Sequence, residues 1–181
     1  SANGVWISGF FGSGKSHLLK ILSYVLSNKE SDEYQSGELF AEKIEGNALL
    51  KANIQKAVAQ PAESILFNIE QKADTTARES GDALVSIFYK VFYEHLGFYG
   101  STRHVARFEF DLYKKGNYET FVSTFNSISE ESWSDARPNY WDPHIQESIA
   151  QALGRIYERD ASDYEDYITR YEDNYNESAE D

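Results

Sequence analysis

Gly9-Phe10-Phe11-Gly12-Ser13-Gly14-Lys15-Ser16 meets the spacing G-x-x-x-x-G-K-[ST] at every fixed position. On average residue usage, a chance match in a chain of 181 residues is roughly a 1% event. The flanks narrow the meaning further. Gly4-Val5-Trp6-Ile7-Ser8 is a short apolar run of strand character. Behind the motif, Leu18, Leu19, Ile21, Leu22, Val25 and Leu26 recur at helical spacing. A strand, a glycine-rich turn and a helix from about Lys15 to Ser27 predict a phosphate-binding loop in an α/β fold. The helix, apolar on more than one stripe, is expected to pack under a parallel sheet.

The residue types fit that chemistry. Backbone N–H groups from Gly12 to Ser16 would line a concavity, and the helix N-terminus would add partial positive charge. Gly12 and Gly14 permit close approach of the chain to phosphate and a positive φ. Lys15 would reach the β- and γ-phosphates and so act catalytically, and the Ser16 hydroxyl would take one position on Mg²⁺. His17 follows directly and counts with Gly9–Ser16 among the candidate nucleotide-binding residues. As a lone histidine it is expected to pack or cap.

The rest of the chain reads as mostly helical. Leu39, Phe40, Ile44, Leu50, Ile54 and Val58 give two helices split at Gly46-Asn47, with Asn47 as N-cap and Pro61 as terminator. Residues 62–70, with Ile65, Leu66, Phe67 and Ile69, read as a second buried strand. The metal-holding acid that should end such a strand is poorly matched: Asn68 stands in its place, and Glu70 reads as an ordinary strand-end carboxylate. A polar connection follows over residues 71–81.

A helix over 82–96 carries Leu84, Ile87, Phe88, Val91, Phe92 and Leu96, closed by Gly97. Helices from about Thr102 to Lys115, stopping at Gly116, and from Asn117 as N-cap onward present Val105, Phe108, Leu112, Phe121, Val122, Phe125 and Ile128 as helix-to-helix core. Residues 129–143 read mostly as loop. Asp142-Pro143 opens a helix to about Tyr157, and Ser162-Asp163-Tyr164-Glu165 reads as a capping box before a last helix with Ile168, Tyr171 and Tyr175. The expectation is a single domain over 1–181, with an α/β nucleotide-binding part over 1–80 and a helical part over 81–181.

Charge and composition exclude several functions. A net charge of −13 gives no general attraction to DNA or anionic membrane. Lys114-Lys115 and Arg103-His104 with Arg107 are expected to be solvated helix faces. Residues 158–181 hold ten acidic against two basic residues, read as a solvated terminal face that frays from about Asn176. With no Cys, disulfides, thiolate metal sites and cysteine nucleophiles are excluded. With no Met, and a strand expected within the first residues, the chain is expected to be an excised piece of something longer. No apolar run reaches membrane-spanning length.

Val5-Trp6-Ile7-Ser8-Gly9-Phe10-Phe11-Gly12-Ser13-Gly14-Lys15-Ser16-His17-Leu18-Leu19-Lys20 resembles the start of the P-loop ATPase of BREX phage-resistance systems (BrxC/PglY type). Ile65-Leu66-Phe67-Asn68-Ile69 with Gln71-Lys72-Ala73-Asp74 is similar to that family as well. So is Ile87-Phe88-Tyr89-Lys90-Val91-Phe92 leading to Gly97-Phe98-Tyr99-Gly100. The resemblance is firm to about residue 100 and looser beyond. It implies a P-loop NTPase (AAA-like) fragment with few parallel strands and a large helical second half. It further implies a large cytoplasmic protein that uses ATP and Mg²⁺ and works with other BREX components to restrict phage DNA and modify host DNA. Homo-oligomerisation, and DNA contact through segments outside this chain, belong to the same expectation. Phosphate binding carries over onto Gly9–Ser16. The family's Walker B acid, sensor residues and arginine finger find no matching positions, so binding with little turnover is expected.

Two other readings stay open. A small P-loop kinase would need lid arginines, and the second half is acidic and Arg-poor. A scaffold module with a vestigial loop would bind neither ATP nor ADP.

Overall fold

In this computed structural model, residues 4–31, 34–69 and 82–174 are described. The chain divides into two compact units, Ser1–Leu66 and Phe67–Asp181.

The first unit is a small helical cluster. Helix α1 (Lys15–Leu26) leads to a hairpin of two-residue strands, β1 (Glu30–Ser31) and β2 (Tyr34–Gln35), paired antiparallel with Glu30 opposite Gln35. Helices α2 (Ser36–Glu42) and α3 (Ala48–Val58) follow. Asn28, at φ 43°, organises the turn: its Oδ1 accepts from Gly37 N at 2.9 Å, and its Nδ2 donates to Gln35 Oε1 at 2.6 Å. At Gly37 the helices come so close that a Cβ would sit 2.8 Å from the Val25 carbonyl oxygen and 2.6 Å from Val58 Cγ1. As expected, Gly46-Asn47 splits the α2–α3 region, and Asn47 Oδ1 accepts from Leu50 N at 2.9 Å.

The expected α/β fold is corrected here. The antiparallel β1–β2 pair is the only sheet among the described residues, and no parallel sheet exists there. Gly4–Ser8 forms no strand, with Val5 87% and Trp6 90% exposed. Residues 62–68 form none either, and Leu66 and Ile69 are exposed; Glu70 and the connection over 71–81 lie outside the described residues. Apolar runs report hydrophobicity, but a strand exists only once a neighbour completes its hydrogen-bond ladder, and among the described residues neither run has one. α1 therefore packs under no sheet: it buries Val25 and leaves Leu18, Leu19, Leu22 and Leu26 exposed.

The second unit is helical throughout its described residues. It contains α4 (Asp82–His95), α5 (Arg103–Lys114), α6 (Tyr118–Ile128), α7 (Trp133–Ala136), a 3₁₀ turn (Arg137–Asn139), α8 (Pro143–Tyr157), a second 3₁₀ turn (Ala161–Tyr164) and α9 (Tyr167–Asn174). Gly97 and Gly116, at φ 85° and 72°, end α4 and α5 in the same way. In each case the next N–H reaches back five residues, Phe98 to the Tyr93 carbonyl and Asn117 to the Leu112 carbonyl, both at 2.9 Å.

The aromatic stripes form helix-to-helix core as expected. Phe108, Phe121, Phe125 and Trp133 are fully buried, and Phe121 and Phe125 meet the Trp133 ring edge-on at 5.1 and 5.2 Å. α4 departs from expectation: Ile87 and Val91 are buried while Leu84, Phe88 and Phe92 stay exposed.

Four local expectations are overturned. Residues 129–143 contain α7, capped by Ser132 and fastened to α6 by Trp133 N donating to Asn126 Oδ1 at 2.7 Å. Asn117 stands at the N-cap position of α6 but its side chain makes no cap bond; its Nδ2 donates to Tyr157 OH at 3.4 Å. The Ser162–Glu165 box gives way to a 3₁₀ turn, because Asp160 Oδ1 accepts from both Ser162 N and Ser162 Oγ. Arg103, His104 and Arg107 are half-buried rather than solvated, with the Arg103 guanidinium 4.6 Å from the Tyr89 ring centre. Asp142 caps α8 as expected, accepting from His144 N at 2.9 Å. Tyr175 and the tail beyond it lie outside the described residues.

Candidate functional site: a glycine loop closed on its own lysine

The loop of residues 9–14 is built from local chain chemistry. Ser13 N donates to the Phe10 carbonyl at 3.2 Å, closing a turn, and Leu18 N donates to the Gly14 carbonyl at 2.9 Å as α1 begins. Gly12 and Gly14 take φ 78° and 84°, the left-handed region that L side chains enter at a cost of about 1–2 kcal/mol. Gly9 is small for another reason: a Cβ there would lie 2.8 Å from Ser13 Oγ.

Lys15 turns back over this loop. Its Nζ donates to the carbonyl oxygens of Gly9 and Phe10, each at 2.8 Å, and lies 3.4 Å from Ser13 Oγ. The cation thus sits at the mouth of the loop. No side chain caps the N-terminus of α1, and its first turn has no acidic residue, so nothing within that turn offsets the positive end of the helix. Ser16 and His17 are exposed in that turn, so His17 does not pack as expected. Phe10 is 91% exposed and Phe11 fully so.

The arrangement can receive an anion. It offers a lysine ammonium, a helix N-terminus and left-handed glycines that leave the backbone open to close approach. Among the described residues no group of three or more His, Asp or Glu could hold a metal ion. Of the sequence-predicted residues, Gly9 to Gly14 form this loop and Lys15, Ser16 and His17 the first turn of α1. Glu70 lies outside the described residues.

The second unit holds a polar cluster that sequence reasoning missed. Glu109 is fully buried on α5. Its Oε1 accepts from Trp133 Nε1 at 2.7 Å, Arg137 NH1 at 2.9 Å and Tyr118 OH at 3.2 Å, while Oε2 accepts from Tyr99 N at 2.6 Å. The signal was present in the spacing. Glu109 stands four residues after Val105 and three before Leu112, on the stripe α5 buries. Burial, with the Glu109 charge second, pushes the Tyr118 phenol far above its ordinary range. Every polar atom of the carboxylate is used, so the cluster reads as a structural tie.

No protein-family model matches the chain, and no solved structure matches it. Among the described residues no helix is long and apolar enough to cross a membrane.

Proposed function

We propose that residues 9–16 bind the polyphosphate of a nucleotide, ATP with Mg²⁺, and that the chain is the ATP-binding module of a multi-component phage-defence ATPase of the BREX type. The observation that carries the nucleotide reading is the Lys15 ammonium held at 2.8 Å by the Gly9 and Phe10 carbonyls above an uncapped helix N-terminus. Loop amides and Lys15 would neutralise phosphate charge, Ser16 would hold Mg²⁺, and His17 would stand beside them. The phage-defence assignment rests on the sequence resemblance alone. With it come a cytoplasmic setting, other BREX components as partners, homo-oligomerisation, and DNA reached through segments outside this chain.

A second reading draws on the lack of a parallel sheet among the described residues: a scaffold module whose loop carries no nucleotide. Calorimetry on the chain with Mg-ATP and Mg-ADP separates the two. The nucleotide reading expects saturable heat with wild type and at least a tenfold weaker affinity for Lys15→Ala. Equal affinity for the variant, or no heat with either nucleotide, overturns it.

A further inference from the structure

We draw no further inference here: the strongest candidate, the open groove where the end of α6 and the turn at Trp141 meet the first turns of α8, gathers Glu130, Glu131, Asp142 and Glu147 around an exposed tryptophan, but it is an acidic cluster and nothing in the structure shows what covers it.

Discussion

Glu109 Oε1 accepts the indole N–H of Trp133 at 2.7 Å, a contact that ties α5 to α7 in the middle of the aromatic core. The same oxygen meets Arg137, and the second oxygen takes the backbone N–H of Tyr99. A buried carboxylate is tolerated only when so paired, and removing one partner strands the others.

Glu109→Ala should therefore destabilise the second unit by about 3–5 kcal/mol, since it removes the carboxylate that Arg137, Trp133, Tyr118 and Tyr99 share. Urea unfolding followed by near-UV circular dichroism measures it. Glu109→Gln keeps one acceptor oxygen and should lose less. An alanine variant within about 1 kcal/mol of wild type would show that the cluster contributes no more than an ordinary hydrogen bond.

The loop glycines should separate by mechanism. Gly12→Ala and Gly14→Ala force an L residue to φ 78° and 84°, costing about 1–2 kcal/mol each in the loop. Nucleotide affinity should fall about tenfold or more for both, tenfold being about 1.4 kcal/mol. Gly9→Ala is crowded by the Ser13 hydroxyl alone, which can rotate away, and meets Ser13 Cβ and Lys15 Cδ at ordinary contact distance, so its effect should be smaller. Calorimetric titration of the three variants gives the order, and a larger loss at Gly9 would contradict the loop geometry.

Tyr118 should mark the alkaline limit of stability. Its folded pKa is raised by burial and then by the Glu109 charge, whereas the unfolded phenol ionises near pH 10. Below about pH 10 both states hold the proton and the stabilisation is complete. Above it the unfolded chain loses the proton first, and stability falls as pH rises. Tyr118→Phe should flatten that fall in thermal melts taken across about pH 8–11, although Tyr93 and Tyr171, raised by burial as well, keep part of the slope. An unchanged slope would remove Tyr118 from the account.

Glu158 ends α8 at φ 53°, with Arg159 N reaching back to the Gly154 carbonyl at 2.9 Å. Glycine suits that position. Glu158→Gly should raise stability by about 0.5–1 kcal/mol, the relieved left-handed strain exceeding the extra freedom of the unfolded chain. Thermal unfolding measures it, and a lower melting temperature would show that the glutamate side chain has a role of its own.

What the sequence revealed and what it hid divide along the range of the interactions. The start of α1, the Asn47 cap, the Asp142-Pro143 entry to α8 and the glycine endings at 97 and 116 each depend on a few neighbouring residues, and each was legible. The two expected strands were not decided locally. Val5-Trp6-Ile7 and Ile65-Leu66-Phe67 have the composition of buried strands, but a ladder requires a partner that composition does not specify. Local competition explains the last helix: Asp160 takes the Ser162 N–H and hydroxyl before Ser162 can begin a capping box. α7 hid behind tryptophan and proline, although Ser132 and Asp135 stand at capping-box spacing. The turn at Gly12 and Gly14 was readable because its geometry is set within eight residues. Glu109 was harder, since its four donors come from three separate stretches of chain.

The tether on Lys15 also bears on how a ligand would be received. A free lysine side chain carries about 2 kcal/mol of rotamer entropy. Two carbonyls at 2.8 Å have already taken much of that freedom, before any anion arrives. An incoming phosphate would order little that is not already ordered, and its grip would depend on how readily Gly9 and Phe10 share the ammonium.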